Sequence, residues 1–376
     1  MIIISTQCFP PDIGGIEVLM GQFAHYLSYA GNQVTVFADR SRDIQKEEPQ
    51  LYTTKRFGGF RPVRRWLKAQ SIDKLISQSG YEPKWIIADS WKSLETLKTN
   101  CPTLVLAHGN ELLFENNAKK KVRIQRSLSK ADLVLANSHY SAEKVMALGI
   151  SKAHIRVFNP PSNPQEIPNP DSLNEVNLII DQNHPIITTV ARLEPRKGID
   201  RVLESIPTLI KKYPKLLYLI GGAGPDQQRL QNIMTKLGIE KHVAFLGRID
   251  VNIRSALLSR SDIFVMPTRT EGNSVEGFGI SYIDAAWFGV PSIASREGGA
   301  PDAVIDGITG LILDDTSVPT VTHALRLLLE NDALRIKFGE AAAKRSRNEL
   351  SWPNQVSVLM GHLIEAQSLY KIRASR

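Results

Sequence analysis

The stretch IFVMPTRTEGNSVEGFGISYID, residues 263–284, contains a strand pattern, a polar loop and the start of a helix. Its apolar run at 263–266 ends at Pro267, and the polar loop follows. Apolar residues then return at helical spacing: Ile280, Ile283 and Trp287. Glu276 therefore belongs to the loop, and Asp284 lies about one turn inside the helix. This order predicts one strand–helix unit of a parallel sheet.

The same alternation of short apolar runs and helical patterns extends over most of the chain, and it predicts parallel sheets covered on both faces. The predicted strands of the first half are residues 2–5, 33–37, 85–88, 103–107, 133–136 and 155–158. Those of the second half are residues 186–191, 216–220, 243–246, 263–266, 292–294 and 311–313. Residues 159–185 contain six prolines and predict a linker. We therefore predict an α/β protein of two doubly wound, Rossmann-like domains with a ligand-binding crevice between them.

Composition narrows the classes of function. The chain has 376 residues, enough for two domains, and its only cysteines are Cys8 and Cys101. Two cysteines build neither a disulfide framework nor a cysteine-based zinc site, which fits a reducing cytoplasm. The N-terminal segment has no basic leader, and no run approaches the roughly 20 apolar residues of a membrane span. The net charge of +8 favours anionic partners such as phosphates, lipid headgroups or nucleic acid.

Two loops at predicted carboxyl ends of strands contain groups that suit a phosphate. Gly15 follows the first strand and precedes a helix, where backbone N–H groups can approach an anion closely. Arg192 and Lys197, in ARLEPRKGID, precede another helix and could clamp a diphosphate. An ordinary tight turn and two solvated cations explain the same residues equally well.

A third loop, GGAGPDQQRL, begins like a dinucleotide fingerprint with Gly222 and Gly224. Gln227 occupies the position of the third glycine, so a dehydrogenase is poorly supported, while a turn close to a phosphate stays open.

The turn EGFGISYID offers two kinds of group to a ligand. The free N–H groups of Phe278, Gly279 and Ile280 suit a phosphate, and the carboxylates of Glu276 and Asp284 can accept bonds from sugar hydroxyls. Two carboxylates could instead indicate a glycosidase, but a glycosidase needs both acids to flank one bond. The spacing therefore favours recognition of a nucleotide sugar. The structural alternative is that Glu276 caps the helix and Asp284 is solvated.

Taken together, these motifs resemble those of the family 4 glycosyltransferases of the GT-B fold, and the resemblance covers essentially the whole chain. The motifs are GGIE, ANSHYSAEKV, ARLEPRKGID, GGAGPDQQRL, VAFLGRI, EGFGISYID and GGAPDAVIDGITGLIL. Within the family the chain looks most like the bacterial phosphatidylinositol mannosyltransferase group. The resemblance implies an N-terminal acceptor-side domain, 1–165, a nucleotide-sugar domain, 180–351, and a C-terminal helix within 352–376 that crosses back to the first domain.

The resemblance also implies a reaction and a set of roles. A hexose would move from a nucleotide diphosphate sugar with retention at the anomeric carbon, and neither a metal nor another cofactor would be required. Gly15, Arg192 and Lys197 would contact the diphosphate, and Glu276 the donor sugar. The backbone of Phe278, Gly279 and Ile280 would lie close to that sugar. The backbone around Leu246, Gly247 and Arg248 would face the base. Asp284 replaces the second glutamate of the family's E-x7-E pattern and would bind the ribose diol. Because Asp is one methylene shorter, that contact is expected to be longer, shifted or bridged by water.

His108, at the end of a first-domain strand, matches a family histidine near the donor sugar and the acceptor, although a lone histidine is more often structural.

Two basic segments bear on the acceptor. Residues 55–70 hold six cations, three aromatic residues and no acid, and residues 119–126 hold five cations. They predict a lipid or lipid-linked glycan acceptor and peripheral association with the inner face of the cytoplasmic membrane. Solvated helix faces are the plain alternative. Single-stranded nucleic acid would fit these segments but nothing else in the chain.

Two further classes of function remain open at this point. A phosphorylase or epimerase of the same fold would use similar phosphate sites, but no signature of a lysine-bound pyridoxal phosphate is present, and an epimerase needs no separate acceptor. A non-catalytic sugar-nucleotide binding protein would keep Arg192 and Lys197 and show no turnover.

Overall fold

The computed structural model describes residues 1–12, 14–41, 50–78, 80, 84–98, 100–114, 117–161 and 167–375. The chain divides into two compact units. One comprises Met1–Pro160 with Trp352–Arg376, and the other comprises Pro161–Ser351. The predicted first domain ended at residue 165, five residues beyond this division.

The first unit is built on a parallel sheet whose described strands run in the order β3-β2-β1-β4-β5-β6-β7. The strands are β1 (Ile2–Ser5), β2 (Val34–Asp39), β3 (Thr53–Phe57), β4 (Trp85–Ala88), β5 (Thr103–Ala107), β6 (Leu133–Ala136) and β7 (Ile155–Val157). The helices are α1 (Gly15–Tyr29), α2 (Arg61–Gln78), α3 (Trp91–Leu94), α4 (Ala118–Leu128), α5 (His139–Ala147) and the C-terminal helix, Trp352–Ala374. One apolar cluster packs α2 to α5 against the sheet, and a second packs α1 and the C-terminal helix against the other face.

The second unit is built on a parallel sheet of described strands in the order β10-β9-β8-β11-β12-β13. The strands are β8 (Ile186–Val190), β9 (Leu217–Gly221), β10 (Val243–Gly247), β11 (Ile263–Val265), β12 (Ser292–Ser295) and β13 (Gly310–Leu313). The helices are α6 (Pro170–Ile180), α7 (Ile199–Leu209), α8 (Gln227–Leu237), α9 (Val251–Ser259), α10 (Ile280–Trp287), α11 (Ala300–Ala303), α12 (Val318–Glu330) and α13 (Asp332–Asn348). The C-terminal helix, which follows them in the chain, is α14. Apolar side chains fill both faces of this sheet as well.

Each sheet has one point at which the strand order reverses. In the first sheet the reversal lies between β1 and β4, and in the second it lies between β8 and β11. Loops that leave neighbouring strands there diverge to opposite faces and open a space at the carboxyl ends of the strands, where ligands of doubly wound sheets bind. The loops that follow these four strands are therefore where a site is expected.

The prediction of two doubly wound parallel α/β sheets is confirmed, and two local predictions are corrected. The strand β3, Thr53–Phe57, was missed because it is a polar edge strand with no apolar run. The predicted linker at 159–185 contains a helix, α6, in which Pro170 occupies a first-turn position and Asn169 accepts a bond from the backbone N–H of Ser172. One proline at a helix start, Pro170, was thus mistaken for a linker proline.

Candidate active site

Lys197, Arg196 and Glu276 form one charged cluster at the reversal point of the second sheet. The two cations lie in a short 3-10 turn, Pro195–Lys197, which follows β8. Nη1 of Arg196 donates to Oε2 of Glu276 over 2.8 Å, and Nζ of Lys197 donates to the same oxygen. The three side chains are only 14%, 9% and 13% exposed for Arg196, Lys197 and Glu276. The fold thus brings the predicted residues Lys197 and Glu276 together.

The charge on Glu276 follows from its surroundings. Burial alone would raise the pKa of this carboxyl group, but the charges and hydrogen bonds of Lys197 and Arg196 outweigh burial and hold the pKa below its ordinary value of 4.5. Glu276 is therefore ionised at neutral pH. It can accept bonds from sugar hydroxyls, but it cannot supply the proton that a glycosidase acid must give.

Arg192, the other predicted phosphate ligand, contacts a different acid. Its side chain is 70% exposed, and Nη1 lies 3.1 Å from Oε1 of Glu194. Oε2 of Glu194 accepts a 2.9 Å hydrogen bond from Nε of Arg196, so one carboxylate joins the two arginines. Sequence reasoning missed both Glu194 and Arg196. Adjacent charges in a loop resemble a solvated surface, and only the position of Arg196 beside Lys197 hinted at its role.

The start of α10 lies directly after the loop that holds Glu276. Gly279 caps the helix with a left-handed φ of 93°, and a side chain at this position would collide with the ring of Tyr282. Ile280 is the first residue of α10, and the Phe278 side chain is buried in the core. The first N–H groups of a helix have no partner within the helix, so this turn presents donors at the carboxyl edge of the sheet.

Asp284 lies in α10 with its side chain almost fully covered. The side chain is 3% exposed, and Oδ2 lies 3.4 Å from Nη1 of Arg254 on α9. The alternative that Asp284 is solvated is therefore wrong. Binding of a ribose diol by Asp284 stays a prediction, and Arg254 is a neighbour that sequence reasoning did not identify.

The predicted base-facing loop lies beside the glycine turn after β9. The backbone N–H of Gly222 donates to the carbonyl of Gly247 over 2.7 Å, which joins the two loops. Gly222 has a φ of 134°, and a side chain there would collide with the carbonyl of Ala191. Close packing of loops therefore accounts for this glycine. Leu246 packs partly against a core cluster, and Arg248 is exposed.

In the first unit, His108 follows β5 and lies beside the reversal point. Its Nε2 lies 2.8 Å from the carbonyl oxygen of Asp89 at the end of β4. Because a carbonyl oxygen can only accept, Nε2 carries the proton in this arrangement. The Asp89 carboxylate accepts bonds from Thr6 Oγ1 and from the N–H of Gln7, each over 2.8 Å. The loops after β1, β4 and β5 are thus tied together around His108.

Gly15 opens α1 at the same edge of the first sheet, and no described atom lies within 4 Å of the place where a side chain would begin. Packing among the described residues does not require a glycine there.

Burial and the nearby carboxylates of Glu17 and Asp89 raise the pKa of the Cys8 thiol to about 12. Cys8 is therefore protonated and is not a nucleophile.

The basic segment 55–70 forms β3 and the start of α2, and its cations have two different surroundings. Lys68 is buried and donates to Asp39 over 2.8 Å, and Arg64 lies 2.9 Å from the same carboxylate. Arg65 lies 3.3 Å from Glu95. Large apolar side chains are exposed at the start of the helix and just before it. Their exposed fractions are Phe60 76%, Val63 51%, Trp66 54% and Leu67 42%.

The second basic segment, 119–126, lies on α4. Arg123 forms a two-point bond with Glu95, the residue that Arg65 of α2 also contacts, so α2 and α4 are joined through one acid. Val122 is 60% exposed, and Lys119 and Arg126 are exposed. For the argument below, the α2–α4 face denotes the exposed apolar and cationic side chains at and just before the start of α2 and on α4: Phe60, Arg61, Val63, Trp66, Leu67, Lys119, Val122 and Arg126.

Two family models match the chain in succession. Residues 13–166 match Glycosyltransferase Family 4, and residues 173–345 match Glycosyl transferases group 1. This chain is a family 4 glycosyltransferase of the GT-B fold. The resemblance stated from the motifs is confirmed.

The glycosyltransferase has similar relatives of known name. It is 28% identical over 369 residues to a GDP-mannose-dependent alpha-(1-6)-phosphatidylinositol monomannoside mannosyltransferase of Mycolicibacterium smegmatis, covering 93% of this chain and 95% of that one. A GDP-mannose-dependent monoacylated alpha-(1-6)-phosphatidylinositol monomannoside mannosyltransferase of Corynebacterium glutamicum is also 28% identical, with 93% and 94% covered.

Solved structures share the fold of the glycosyltransferase. Sucrose-phosphate synthase of Thermosynechococcus elongatus superposes with a TM-score of 0.78 at 21% identity, covering 100% of this chain and 99% of that one. The lipopolysaccharide glycosyltransferase WaaG superposes with a TM-score of 0.70 at 14% identity, covering 95% and 98%.

Within the described ranges, no group of three or more His, Cys, Asp or Glu side chains of the glycosyltransferase is arranged to hold a metal ion. Among its described helices, none combines the length and the apolar character that crossing a bilayer requires.

Proposed function

We propose that this glycosyltransferase moves a hexose from a nucleotide diphosphate sugar to a hydroxyl of a lipid or lipid-linked glycan, with retention at the anomeric carbon and without a metal ion. The contact of Lys197 and Arg196 with Glu276 at the reversal point carries the proposal. It supports the proposal because a lysine suited to a diphosphate lies next to a carboxylate suited to sugar hydroxyls. GDP-mannose is the preferred donor and UDP-glucose the second choice. The two relatives described above carry GDP-mannose in their names.

The charges suit the direction of the reaction. As the bond between sugar and phosphate breaks, negative charge grows on the diphosphate and positive charge on the sugar. Lys197, Arg192 and the start of α10 would stabilise the diphosphate, and the ionised Glu276 would hold the sugar through its hydroxyl groups. No side chain needs to act as the nucleophile, because the leaving phosphate oxygen can accept the proton of the acceptor hydroxyl.

Turnover tests this function directly. Purified protein without added metal is incubated with GDP-mannose or UDP-glucose and with vesicles that contain phosphatidylinositol, and glycolipid product is followed by mass spectrometry. We expect one donor to give product and Glu276→Gln to abolish it. Nucleotide-sugar binding without any product from either donor would instead favour a binding protein. Free sugar 1-phosphate or an epimerised donor would favour a phosphorylase or an epimerase.

We further propose that the α2–α4 face docks on an anionic membrane surface and brings a lipid-borne acceptor to the enzyme. Exposed Phe60 and Trp66 would enter the interface, and Arg61, Lys119 and Arg126 would contact headgroups. Each cation near an anionic surface contributes about 1 kcal/mol. Lys68, Arg64 and Arg65 already pair with acids, so they contribute less than the sequence alone suggested.

Vesicle sedimentation tests the face. Arg61→Glu combined with Lys119→Glu should weaken binding to phosphatidylglycerol vesicles by about thirtyfold or more, since losing two attractive charges costs about 2 kcal/mol and their reversal adds repulsion. Lys212→Glu in the second unit is the matched control, with a side chain that is 63% exposed. Unchanged binding by the double variant would count against this membrane surface.

A further inference from the structure

The cluster around Glu276 contains two cations that differ in how they are held, and the difference points to a division of work. Lys197 contacts Glu276 through an ammonium group with three rotatable donors, which can turn toward a phosphate. Arg196 uses Nε on Glu194 and Nη1 on Glu276, so two carboxylates fix its guanidinium plane. An arginine held in this way is not free to clamp a diphosphate.

We propose that Arg196 is a positioning residue that holds the Glu276 carboxylate in place for the donor sugar, and that Glu194 aligns Arg196 for this task. The inference rests on the proposed function, because it assigns a role in recognising the donor sugar. Lys197 and Arg192 serve the diphosphate in this scheme. Arg196 serves the sugar indirectly, through Glu276.

The backbone on either side of the pair is fixed as well. The carbonyl of Arg196 accepts a 2.8 Å bond from the N–H of Arg269, and the guanidinium of Arg269 makes two bonds to Asp200 over 2.8 and 3.0 Å. The carbonyl of Glu276 accepts a 2.8 Å bond from the N–H of Gly299. Hydrogen bonds to neighbouring loops thus hold both chain segments. The contact between Arg196 and Glu276 therefore joins two segments whose backbone is already fixed.

The contact between Arg196 and Glu276 becomes important when a donor binds. A diphosphate competes for Lys197, and Glu276 then keeps one cation, Arg196. Without Arg196 the carboxylate would be buried with a weakened counter-charge, and it would be protonated more readily or turn away. Among the described residues, Tyr282 is a further titratable neighbour of Glu276, and burial and the charge of Glu276 raise its pKa and keep it protonated.

Three variants and a control separate this role from phosphate binding. Arg196→Gln, Arg196→Lys and Glu194→Gln are compared with Arg326→Gln, an exposed arginine that pairs with Glu330 on α12. Calorimetry measures binding of GDP and of UDP. Turnover is followed as release of the nucleoside diphosphate from GDP-mannose or UDP-glucose, over pH 5 to about 9, a range that spans ordinary catalytic pKa values.

We expect Arg196→Gln to bind the nucleoside diphosphate within about twofold of the wild type, while kcat falls by about a hundredfold, as small misplacements of a reacting group do. As the pH is lowered, the kcat of Arg196→Gln should begin to fall at a higher pH than the kcat of the wild type, because its Glu276 is protonated more readily. Arg196→Lys should recover about tenfold of the lost rate, and Glu194→Gln should show the same split with a smaller loss.

Two results would overturn the proposal. One is a loss of nucleoside diphosphate affinity of about tenfold or more in Arg196→Gln, which would make Arg196 a phosphate ligand. The other is an unchanged kcat and pH profile in both Arg196→Gln and Glu194→Gln. If Arg196→Gln does not fold, Glu194→Gln decides alone. A wild type that binds neither nucleotide would contradict the proposed function itself, and this outcome is distinct from the other two.

Discussion

At the level of single residues, Glu276 has a depressed pKa that couples its charge to stability. A carboxyl group whose pKa is lowered by folding stabilises the native state above its unfolded pKa, here 4.5, and this contribution is lost as the pH falls through the folded pKa. Glu276→Gln should therefore lower stability at pH 7 by about 1–3 kcal/mol, because Lys197 and Arg196 lose their counter-ion. At pH values below the folded pKa of Glu276 the difference should narrow.

Thermal unfolding at pH 7 and at about pH 3, well below the ordinary glutamate pKa so that the contribution of Glu276 declines, measures this effect. Glu143→Gln, at an exposed position on α5, is the control and should follow the wild type at both values. A gap between wild type and Glu276→Gln that does not depend on pH would contradict the assigned cause.

Asp284 offers a second residue-scale prediction. Its side chain is 3% exposed beside Arg254, so Asp284→Asn removes a charge partner from a covered site. We expect a loss of about 1–3 kcal/mol in the free energy of unfolding, measured by urea titration. Asp314→Asn is the matched control, because Asp314 pairs with Arg296 while 81% exposed, and it should stay within about 0.5 kcal/mol. Equal stability of the two variants would contradict the structural importance of the Asp284–Arg254 contact.

The residues of the site were predictable to different degrees. That Lys197 and Glu276 lie together could be predicted, because each belongs to a motif that follows a strand and strand ends gather at one edge, while their binding of a donor stays a prediction. Arg196, Glu194 and Arg254 were missed, since pairing between side chains from different elements leaves no periodic trace in a sequence. The close approach at Gly222 was missed for the same reason.

At the level of elements, the C-terminal helix α14 is tied to the first sheet by polar contacts near its end. Nε of Arg373 lies 3.1 Å from the buried carboxylate of Asp132, and its Nη1 donates to the carbonyl of Lys130 over 2.8 Å. Burial raises the pKa of Asp132 despite this partner. Arg373→Ala would remove the larger of the two positive charges that lower the pKa of this carboxylate, the other being that of His154, and so raise its pKa further.

An acid with a raised folded pKa costs stability as the pH rises above its unfolded pKa, because it is then charged in a buried place. Arg373→Ala should therefore lose about 1–2 kcal/mol at pH 7.5 and less near pH 5. Urea unfolding at both pH values checks this, with the exposed Lys371→Ala as control. A larger loss at pH 5 than at pH 7.5 would have the wrong sign and would exclude Asp132 as the cause.

His362, also on α14, makes the stability of the protein depend on pH. Burial lowers its pKa below 6.5, as does the charge of Arg156, although Glu365 opposes both. A histidine with a depressed folded pKa leaves stability intact above 6.5 and reduces it as the pH falls below that value. His362→Gln should therefore flatten the fall in melting temperature between pH 7.5 and pH 5.5, whereas the exposed control His323→Gln should not. Parallel curves for wild type and His362→Gln would contradict this.

Strands with continuous apolar runs were predicted within one or two residues of their observed bounds, and the missed elements share one physical cause. The edge strand β3 has the sequence TTKRF and pairs on one side, so it carries no continuous apolar run. The helix α6 has the sequence PDSLNEVNLII and begins with proline, and its apolar spacing was obscured by the prolines before it. In both, local composition outweighed the pairing and packing that decide the fold.

At the level of the whole molecule, the alternation of strands and helices was sufficient to predict two parallel sheets, and the two matching family models place the chain among the glycosyltransferases. The net charge of +8 was less informative. Arg64, Arg65 and Lys68 of the segment 55–70 pair with acids inside the first unit. The count of six cations in that segment therefore overstated the positive charge available to anions.

The central claim is that the loops after β8 and before α10 hold a nucleotide diphosphate sugar. The most direct test is a metal-free thermal-shift panel of UDP, GDP, ADP and their sugar conjugates on the wild type and on Lys197→Ala. A ligand at about a hundred times its dissociation constant adds about 2.7 kcal/mol of stability. We predict that one nucleotide and its conjugate stabilise the wild type and fail to stabilise Lys197→Ala. Equal stabilisation of both proteins, or of neither by any member of the panel, would contradict the claim.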